Sequence, residues 1–383
     1  MQMIRDRLTK WRYTLSAAVG LGAVCFLGWV LLKQPEPAVQ GVVQGIAACL
    51  DTLIPSLFPF MVLSAYLTES GLAQFMGRYT GALLRKLFRL PGCAAPVILL
   101  SYLGGYPAGG KAISRLLLRG ELTEKQAGRM LCFCVGAGPS FVLTYVGSCL
   151  LGAPSSGSIL LLSVTLSGLL LGVCTGLFSK DTAAVPEHPP VPPASSPLVC
   201  AVSDASRGML SLCAMVVVFS ALLFTASRLG WFAPLTRQLL LWGMSPGNAA
   251  ALPFFLTEIT AGCRTGAMAR ASLPLFAFGL GWGGLCVHFQ VFSFFPRLPV
   301  SRWKFWCFRL LHGLGSALLC RVLLPFFPEV SAASALWSDS PSVGLAASIP
   351  AAAALFLLLL IMALDGNVPA FSGKGGIFPK KPR

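Results

Sequence analysis

Among the residues of this chain, Glu258 has the sequence context that most strongly indicates a chemical role. It is the only acid over residues 205–328, and it follows the apolar run Ala249–Leu256. Taking a carboxylate out of water is costly unless the group is paired or hydrogen-bonded. The sequence leaves three interpretations open: Glu258 binds a solute or a coupling proton, it forms a structural ion pair with Arg264 or Arg270, or it lies at the membrane interface.

Glu258 belongs to one of two glycine-rich stretches, Ser101–Lys111 and Thr257–Gly266, that interrupt apolar runs. Glycine and proline are poor material for a continuous helix, so each stretch predicts a helix break. A further polar pair follows a Gly-Gly step in a later apolar run. The candidate solute-binding residues are Gly104, Gly105, Gly109, Lys111, Thr257, Glu258, Gly262, His288 and Gln290.

Each candidate also has a structural interpretation. The glycines allow close helix packing, and a buried histidine is often a hydrogen-bonded packing residue. A lysine such as Lys111 often marks the membrane boundary with its extended side chain. These alternatives remain open from the sequence.

The elements that carry these residues are membrane helices. Of 383 residues 55% are hydrophobic and 11% are charged, against roughly 25% charged in soluble domains. Several uncharged windows are long enough to cross a bilayer, among them Thr14–Leu32, Leu150–Phe178, Met209–Ala226 and Val343–Leu364. The chain is therefore predicted to be an all-α polytopic membrane protein. At membrane depth, broken helices survive only inside protein or beside a wet cavity, and a pair of them points to a binding site.

The predicted organisation has two related halves, with about eight transmembrane helices and two broken or re-entrant segments. Residues 1–38 hold an N-terminal cytoplasmic segment and the first span, and 39–180 form the first half. A Pro-rich linker covers 181–204, the second half 205–330, and a last span with a basic tail 331–383. The basic ends place both termini in the cytoplasm, since cytoplasmic segments of membrane proteins are rich in Lys and Arg.

Two local patterns add detail to this plan. Leu72–Arg89 alternates apolar and basic residues at helical spacing, which indicates either an amphipathic helix in the membrane interface or an exposed connector. Thr123 followed by Gln126 predicts a capping box, and Gly136–Ser140 predicts a break after that helix.

Other function classes lack support in the sequence. The net charge of +16 is scattered over loops and carries no nucleic-acid-binding motif. Most of the 13 cysteines lie inside apolar runs, and neither cysteines nor histidines show metal-ligand spacing. No P-loop or nucleophile elbow is present. We therefore expect no enzyme activity, no metal and no cofactor.

Four segments of the chain resemble one known family. They are Leu57–Phe60, Gly105–Gly109, Gly120–Phe141 and Gly283–Gln290. In this order they are similar to the sporulation integral membrane proteins of the YlbJ type, part of the nucleoside-recognition, or Gate, group. The resemblance implies two Gate-type halves, a bacterial cell membrane and a role in endospore formation.

Two functions are compatible with these observations. The first is a transporter-like protein that moves or binds a small polar solute, nucleoside-like by analogy with the Gate group, during endospore formation. The second is a non-transporting membrane scaffold for spore formation. The expected partners are the lipid bilayer, a small solute, and either further copies of the chain or other sporulation membrane proteins.

Overall fold

The computed structural model describes residues 21–179 and 196–330, apart from residues 23, 24, 27 and 329. All regular elements of these residues are helices, as predicted. The predicted span at 13–32 is described from residue 21 onward, and its described residues are helical. The predicted span at 343–364 and most of the Pro-rich linker lie outside the described residues.

A long helix opens the first half, and shorter helices follow. Its elements are α1 (Pro35–Glu69), α2 (Leu72–Leu87), α3 (Ala94–Leu103), α4 (Tyr106–Leu118), α5 (Glu124–Phe133), α6 (Ser140–Leu150) and α7 (Pro154–Leu177). α1 contains a π-helical turn at Cys49–Leu53, shortly before Pro55. α1 continues through that turn because the freed backbone groups find i→i+5 partners.

The predicted second half also begins with a long helix, and shorter helices follow. Its elements are α8 (Pro197–Arg228), α9 (Ala233–Leu241), α10 (Pro246–Thr257), α11 (Ile259–Met268), α12 (Leu273–Trp282), α13 (Gly284–Ser293) and α14 (Arg302–Leu323). α1 and α8 begin at Pro35 and Pro197, so helices extend into the predicted segments 1–38 and 181–204.

Five helical stretches of the described residues are long and apolar enough to cross a membrane: α1, α7, α8, Leu273–Ser293 and Arg302–Phe326. Their outer faces carry large exposed apolar side chains such as Leu210 and Leu318. In water such surfaces would aggregate, whereas lipid tails solvate them. The chain is an integral membrane protein.

Two pairs of short helices form antiparallel hairpins. In hairpin 1 (α3 and α4), Ser101 lies against Gly109 near the tip, and Cys93 Sγ donates to the Glu121 carbonyl at the open end (3.4 Å). In hairpin 2 (α10 and α11), Phe255 packs on Gly262.

The arms of both hairpins contain 10–13 residues. At 1.5 Å per residue they reach about 15–20 Å, roughly half of a bilayer core, so both hairpins have re-entrant dimensions.

Two further pairs form broken spans. Broken span 1 consists of α5 and α6, separated by the non-helical segment Cys134–Gly138. It runs antiparallel to α7, since Gly147 of α6 lies against Gly157 and Phe133, the last residue of α5, lies against Gly172. Broken span 2 consists of α12 and α13, separated at Gly283, whose φ of +86° requires glycine.

The local sequence patterns of the first half are confirmed. Thr123 Oγ1 accepts from Gln126 N, and Gln126 Oε1 accepts from Thr123 N, which completes the predicted capping box. The predicted break at Gly136–Ser140 corresponds to the gap in broken span 1. The breaks predicted in Ser101–Lys111 and Thr257–Gly266 are the two hairpin tips.

Candidate functional site

The two hairpin tips meet the two broken spans in the interior. At tip 1, a Cβ on Gly105 would lie 3.3 Å from Gly138 N in the gap of broken span 1. At tip 2, a Cβ on Gly284 of broken span 2 would lie 3.1 Å from Ile259 N. At both places the backbone of a tip lies directly against the backbone of a gap. Peptide groups that have lost their helical hydrogen-bond partners are therefore close together.

A single side chain joins the two tip-and-gap contacts. Tyr106, the first residue of α4, donates its hydroxyl to the Leu280 carbonyl of broken span 2 at 2.6 Å. Its ring edge also lies beside Gly283. Tyr106 therefore connects the tip of hairpin 1 with the gap of the other half.

Glu258 caps the helix that follows it. Its side chain is 2% exposed, Oε1 accepts from Thr260 N at 2.8 Å, and Oε2 accepts from Ala261 N at 2.6 Å. An N-terminal carboxylate satisfies orphan N–H groups and interacts favourably with the helix dipole. Arg264, one of the two suggested ion-pair partners, donates instead to Gln44 Oε1 at 2.6 Å.

Glu258 also borders a small cavity of about 30 Å³ between the tips and the long helices α1 and α8. Its polar lining includes Glu258, Thr260 and Gln290, and Leu53, Leu57 and Val216 lie among its apolar walls. A space of this size holds about one water molecule. Sites for drug-sized ligands measure roughly 300–1,000 Å³, so this cavity is too small for such a ligand.

At each glycine predicted for the site, another part of the chain lies close to the Cα atom. A Cβ on Gly109 would collide with the Cys134 carbonyl, and one on Gly262 would lie 2.7 Å from Phe255 Cα. A Cβ on Gly104 would lie 2.6 Å from Ala108 Cβ. Gly105 has a φ of +78°, which favours glycine at the tip. These contacts match the packing interpretation, and Gly105 in addition faces the gap.

Side chains satisfy the carbonyl groups that the gaps leave open. Arg309 of α14 is fully buried and donates to the Cys132 carbonyl (2.6 Å) and to the Val135 carbonyl. Tyr102 Oη donates to the Phe133 carbonyl at 2.9 Å. Because lipid supplies no hydrogen bonds, such donors allow a broken helix to exist at membrane depth.

His288 has the same role in broken span 2. Its Nε2 lies 2.8 Å from the Trp282 carbonyl, and its ring packs edge-on against Trp282 and Phe305. This is the hydrogen-bonded packing arrangement that the sequence left open. Gln290 borders the cavity and directs Nε2 at Cys286 Sγ (3.6 Å), whereas the Thr257 hydroxyl bonds back to the Pro253 carbonyl (2.9 Å).

Lys111 lies away from the cavity, in an ionic cluster between hairpin 1 and the long helices. Its Nζ is 2.8 Å from Asp204 Oδ1, and Arg115 Nη2 is 2.5 Å from Asp204 Oδ2. Arg115 Nη1 also lies 3.2 Å from Glu69 Oε1 of α1. Two acids and two bases from three helices thus neutralise each other.

Sequence reasoning missed Tyr106, Arg309 and Asp204. The apolar segment Phe305–Phe327 contains Arg309, and a charged residue inside a membrane segment usually has a structural or functional role. That signal could have identified Arg309. No comparable signal marks Tyr106, whose partner is distant in sequence. Within the described residues, no group of three or more His, Cys, Asp or Glu side chains is arranged to hold a metal ion.

Comparison with known proteins agrees with this architecture. The family model described as Gate, nucleoside recognition, matches residues 50–150, which include hairpin 1 and broken span 1. The chain is 24% identical over 327 residues to the sporulation integral membrane protein YlbJ of Bacillus subtilis strain 168, over 78% of this chain and 80% of that protein. The predicted family resemblance is confirmed. No solved structure matches the chain significantly.

Proposed function

We propose that the protein is a carrier for a small polar solute, built from two inverted repeats. The observation that carries the proposal is the meeting of two re-entrant tips with two broken spans around Glu258 and a small cavity. In secondary transporters, discontinuous helices from two repeats form the solute site near the midplane.

The order of elements supports an internal repeat. Each half contains a long helix, a short amphipathic helix, a hairpin, a broken span and a second long helix, in that order. When Gly105 is aligned with Glu258, the motif Ala108-Gly109-Gly110-Lys111 coincides with Ala261-Gly262-Cys263-Arg264. Lys111 bonds to α8 of the second half, and Arg264 bonds to α1 of the first.

The path of the chain supports inversion of the halves. α1, broken span 1 and α7 cross in the first half, and α8, broken span 2 and α14 cross in the second. This number is odd in each half, so the halves have opposite orientations. α1 and α8 accordingly pack antiparallel, with Gly41 against Ala221 and Gly45 against Val217. With the predicted spans at 13–32 and 343–364, the total reaches the predicted eight.

Basic residues support a cytoplasmic location for the open end of hairpin 1. The loops and helix ends on that side contain Arg78, Arg85, Lys86, Arg89, Arg119, Lys125, Arg297, Arg302 and Lys304, whereas the other side has Lys33, Arg228, Arg237, Arg270 and Arg321. Together with the predicted spans at 13–32 and 343–364, this orientation would give cytoplasmic chain termini.

The small volume of the cavity implies a conformational change during transport. A nucleoside-sized solute does not fit into about 30 Å³, so at least one hairpin tip must move away from its gap to admit it. The Gate name and the sporulation name of the relative support a nucleoside-like solute and a role in spore formation. The proposal includes no catalytic step.

Solute binding tests the proposal directly. The melting temperature of the purified full-length chain is measured with nucleosides, nucleobases, small carboxylates and divalent metal ions, for the wild type and for Glu258→Gln. A solute present at well above its Kd should raise the wild-type melting temperature by about 2 °C or more, and the variant should lose this shift. Uptake of that solute into proteoliposomes then tests transport.

The matched control is Glu121→Gln, an acid at the open end of hairpin 1. Glu258→Gln is expected to melt lower without solute, because the amide offers one acceptor oxygen where the carboxylate offers two. For this reason the shift produced by the solute is compared within each variant. Wild-type protein that shows neither a shift nor uptake with any of these solutes would contradict the carrier and favour the scaffold.

A further inference from the structure

The outer face of α2 combines basic and apolar side chains at one end of the molecule. Arg85 and Lys86 of its last turn are exposed, as is Arg89 just beyond the helix. Phe75 and Tyr79 are 57% and 76% exposed and pack edge to face at 5.1 Å. Aromatic rings beside Lys and Arg are typical of the headgroup level of a membrane.

The inner face of α2 is fixed on the bundle. Leu84 and Phe88 are 7% exposed, and the Phe88 ring stacks on Phe133 at 5.5 Å. A Cβ on Gly81 would lie 3.3 Å from Gly92 Cα. Because this packing fixes the rotation of α2, Arg85 and Lys86 are held outward.

The last turn of α7 lies beside the basic end of α2. A Cβ on Gly176 would lie 2.8 Å from the Leu87 carbonyl, and Arg89 Nη1 donates to the Ser179 carbonyl at 2.6 Å. Leu177 and Phe178 are 59% and 88% exposed there. Exposed apolar side chains therefore continue directly from the basic group.

We propose that Arg85 and Lys86, together with Leu177 and Phe178, form a binding site for an anionic phospholipid. The two cations contact the phosphate headgroup, and the apolar pair contacts the upper acyl chains. Charge complementarity selects this occupant: none of the ion pairs found between described residues uses Arg85 or Lys86. Basic residues at a membrane surface attract anionic lipid.

The corresponding helix of the second half provides an internal comparison. α9 also exposes apolar residues, Leu241 and Trp242 at 71% and 73%, but its basic residue is the single Arg237. α2 therefore presents more positive charge at the membrane surface than α9 does. The lipid site is independent of solute transport, so a failure of either proposal leaves the other intact.

Lipid-dependent melting tests the site. Full-length protein in a neutral detergent is titrated with phosphatidylglycerol or with phosphatidylcholine, and bound lipid is counted by native mass spectrometry. We expect phosphatidylglycerol to raise the melting temperature by about 2 °C or more beyond phosphatidylcholine. The double variant Arg85→Gln/Lys86→Gln should weaken phosphatidylglycerol binding roughly tenfold or more.

Two controls separate this site from general attraction between charges. Arg85→Lys/Lys86→Arg keeps the charges and should keep the phosphatidylglycerol effect, and Arg237→Gln on α9 should keep it too. Equal shifts with both lipids, or an unchanged phosphatidylglycerol effect in the Gln double variant, would overturn the proposal. Loss of the effect in Arg237→Gln to the same degree would overturn it as well, because binding would then follow total charge.

Discussion

The hydroxyl of Tyr106 donates to the carbonyl of Leu280 at 2.6 Å and so joins the tip of hairpin 1 to the gap of broken span 2. The two residues lie in different halves of the chain. Leu280 lies in the last turn of α12, three residues before its C-cap Gly283. Carbonyl groups in the last turn of a helix lack their usual helical partners. The bond thus serves two purposes: it satisfies a buried carbonyl and it holds a re-entrant tip in place.

Tyr106→Phe should lower stability by about 1 kcal/mol, because the Leu280 carbonyl loses its side-chain donor in a buried position. Denaturation of the purified protein in detergent measures the change. Tyr79→Phe is the matched control, since Tyr79 is 76% exposed and the same change there should have little effect. An equal loss in both variants would contradict the role of the bond.

Arg309→Met should be much more harmful. It removes the donors to the Cys132 and Val135 carbonyls, and each buried unsatisfied group costs about 1–3 kcal/mol. We expect a loss of roughly 2–5 kcal/mol, visible as low yield of monodisperse protein.

Arg321→Met on the same helix provides the comparison for Arg309, since Arg321 is exposed. Arg309→Lys should recover only part of the stability, because a single ammonium does not reproduce the fork of a guanidinium. Normal yield and melting of Arg309→Met would show that the gap is held by other contacts.

The sequence predicted the helix breaks well because their causes are local. Gly105 adopts a positive φ value that excludes most other residues, and the Thr123 capping box depends on neighbours three residues apart. The break at Gly283 was not among the predicted ones, although its φ is positive as well. The amphipathic pattern of Leu72–Arg89 likewise depends only on helical spacing. Such features can be recognised before any tertiary contact is known.

The partners of the polar residues could not be predicted in this way. Lys111 bonds to Asp204, and Arg309 bonds to Cys132, across long stretches of chain. Glu258 was expected to bind a solute, to pair with an arginine or to lie at the membrane interface, but its carboxylate caps its own helix. Whether it also binds a solute stays a prediction. Burial demands a partner for each polar group, but the sequence does not say which one.

The ion pair of Lys111 and Asp204 should show measurable energetic coupling. Lys111→Met and Asp204→Asn, measured singly and together in a double-mutant cycle, should give a coupling energy of roughly 0.5–3 kcal/mol. Asp204 also pairs with Arg115, so Asp204→Asn alone should be the more harmful single change. A coupling energy near zero would mean that solvent screens the pair.

Gly262→Ala should separate the arms of hairpin 2, because the new Cβ would lie 2.7 Å from Phe255 Cα, a backbone atom that cannot rotate away. Overpacking of this kind costs about 1–3 kcal/mol, and melting of the purified protein measures it. Gly28→Ala is the control, since a Cβ there meets nothing within 4 Å and alanine favours a helix by about 1 kcal/mol over glycine. The opposite signs expected for the two substitutions make the test sharp. If Gly262→Ala melted at or above the wild-type temperature, the close contact of the arms would not stabilise the tip that carries Glu258.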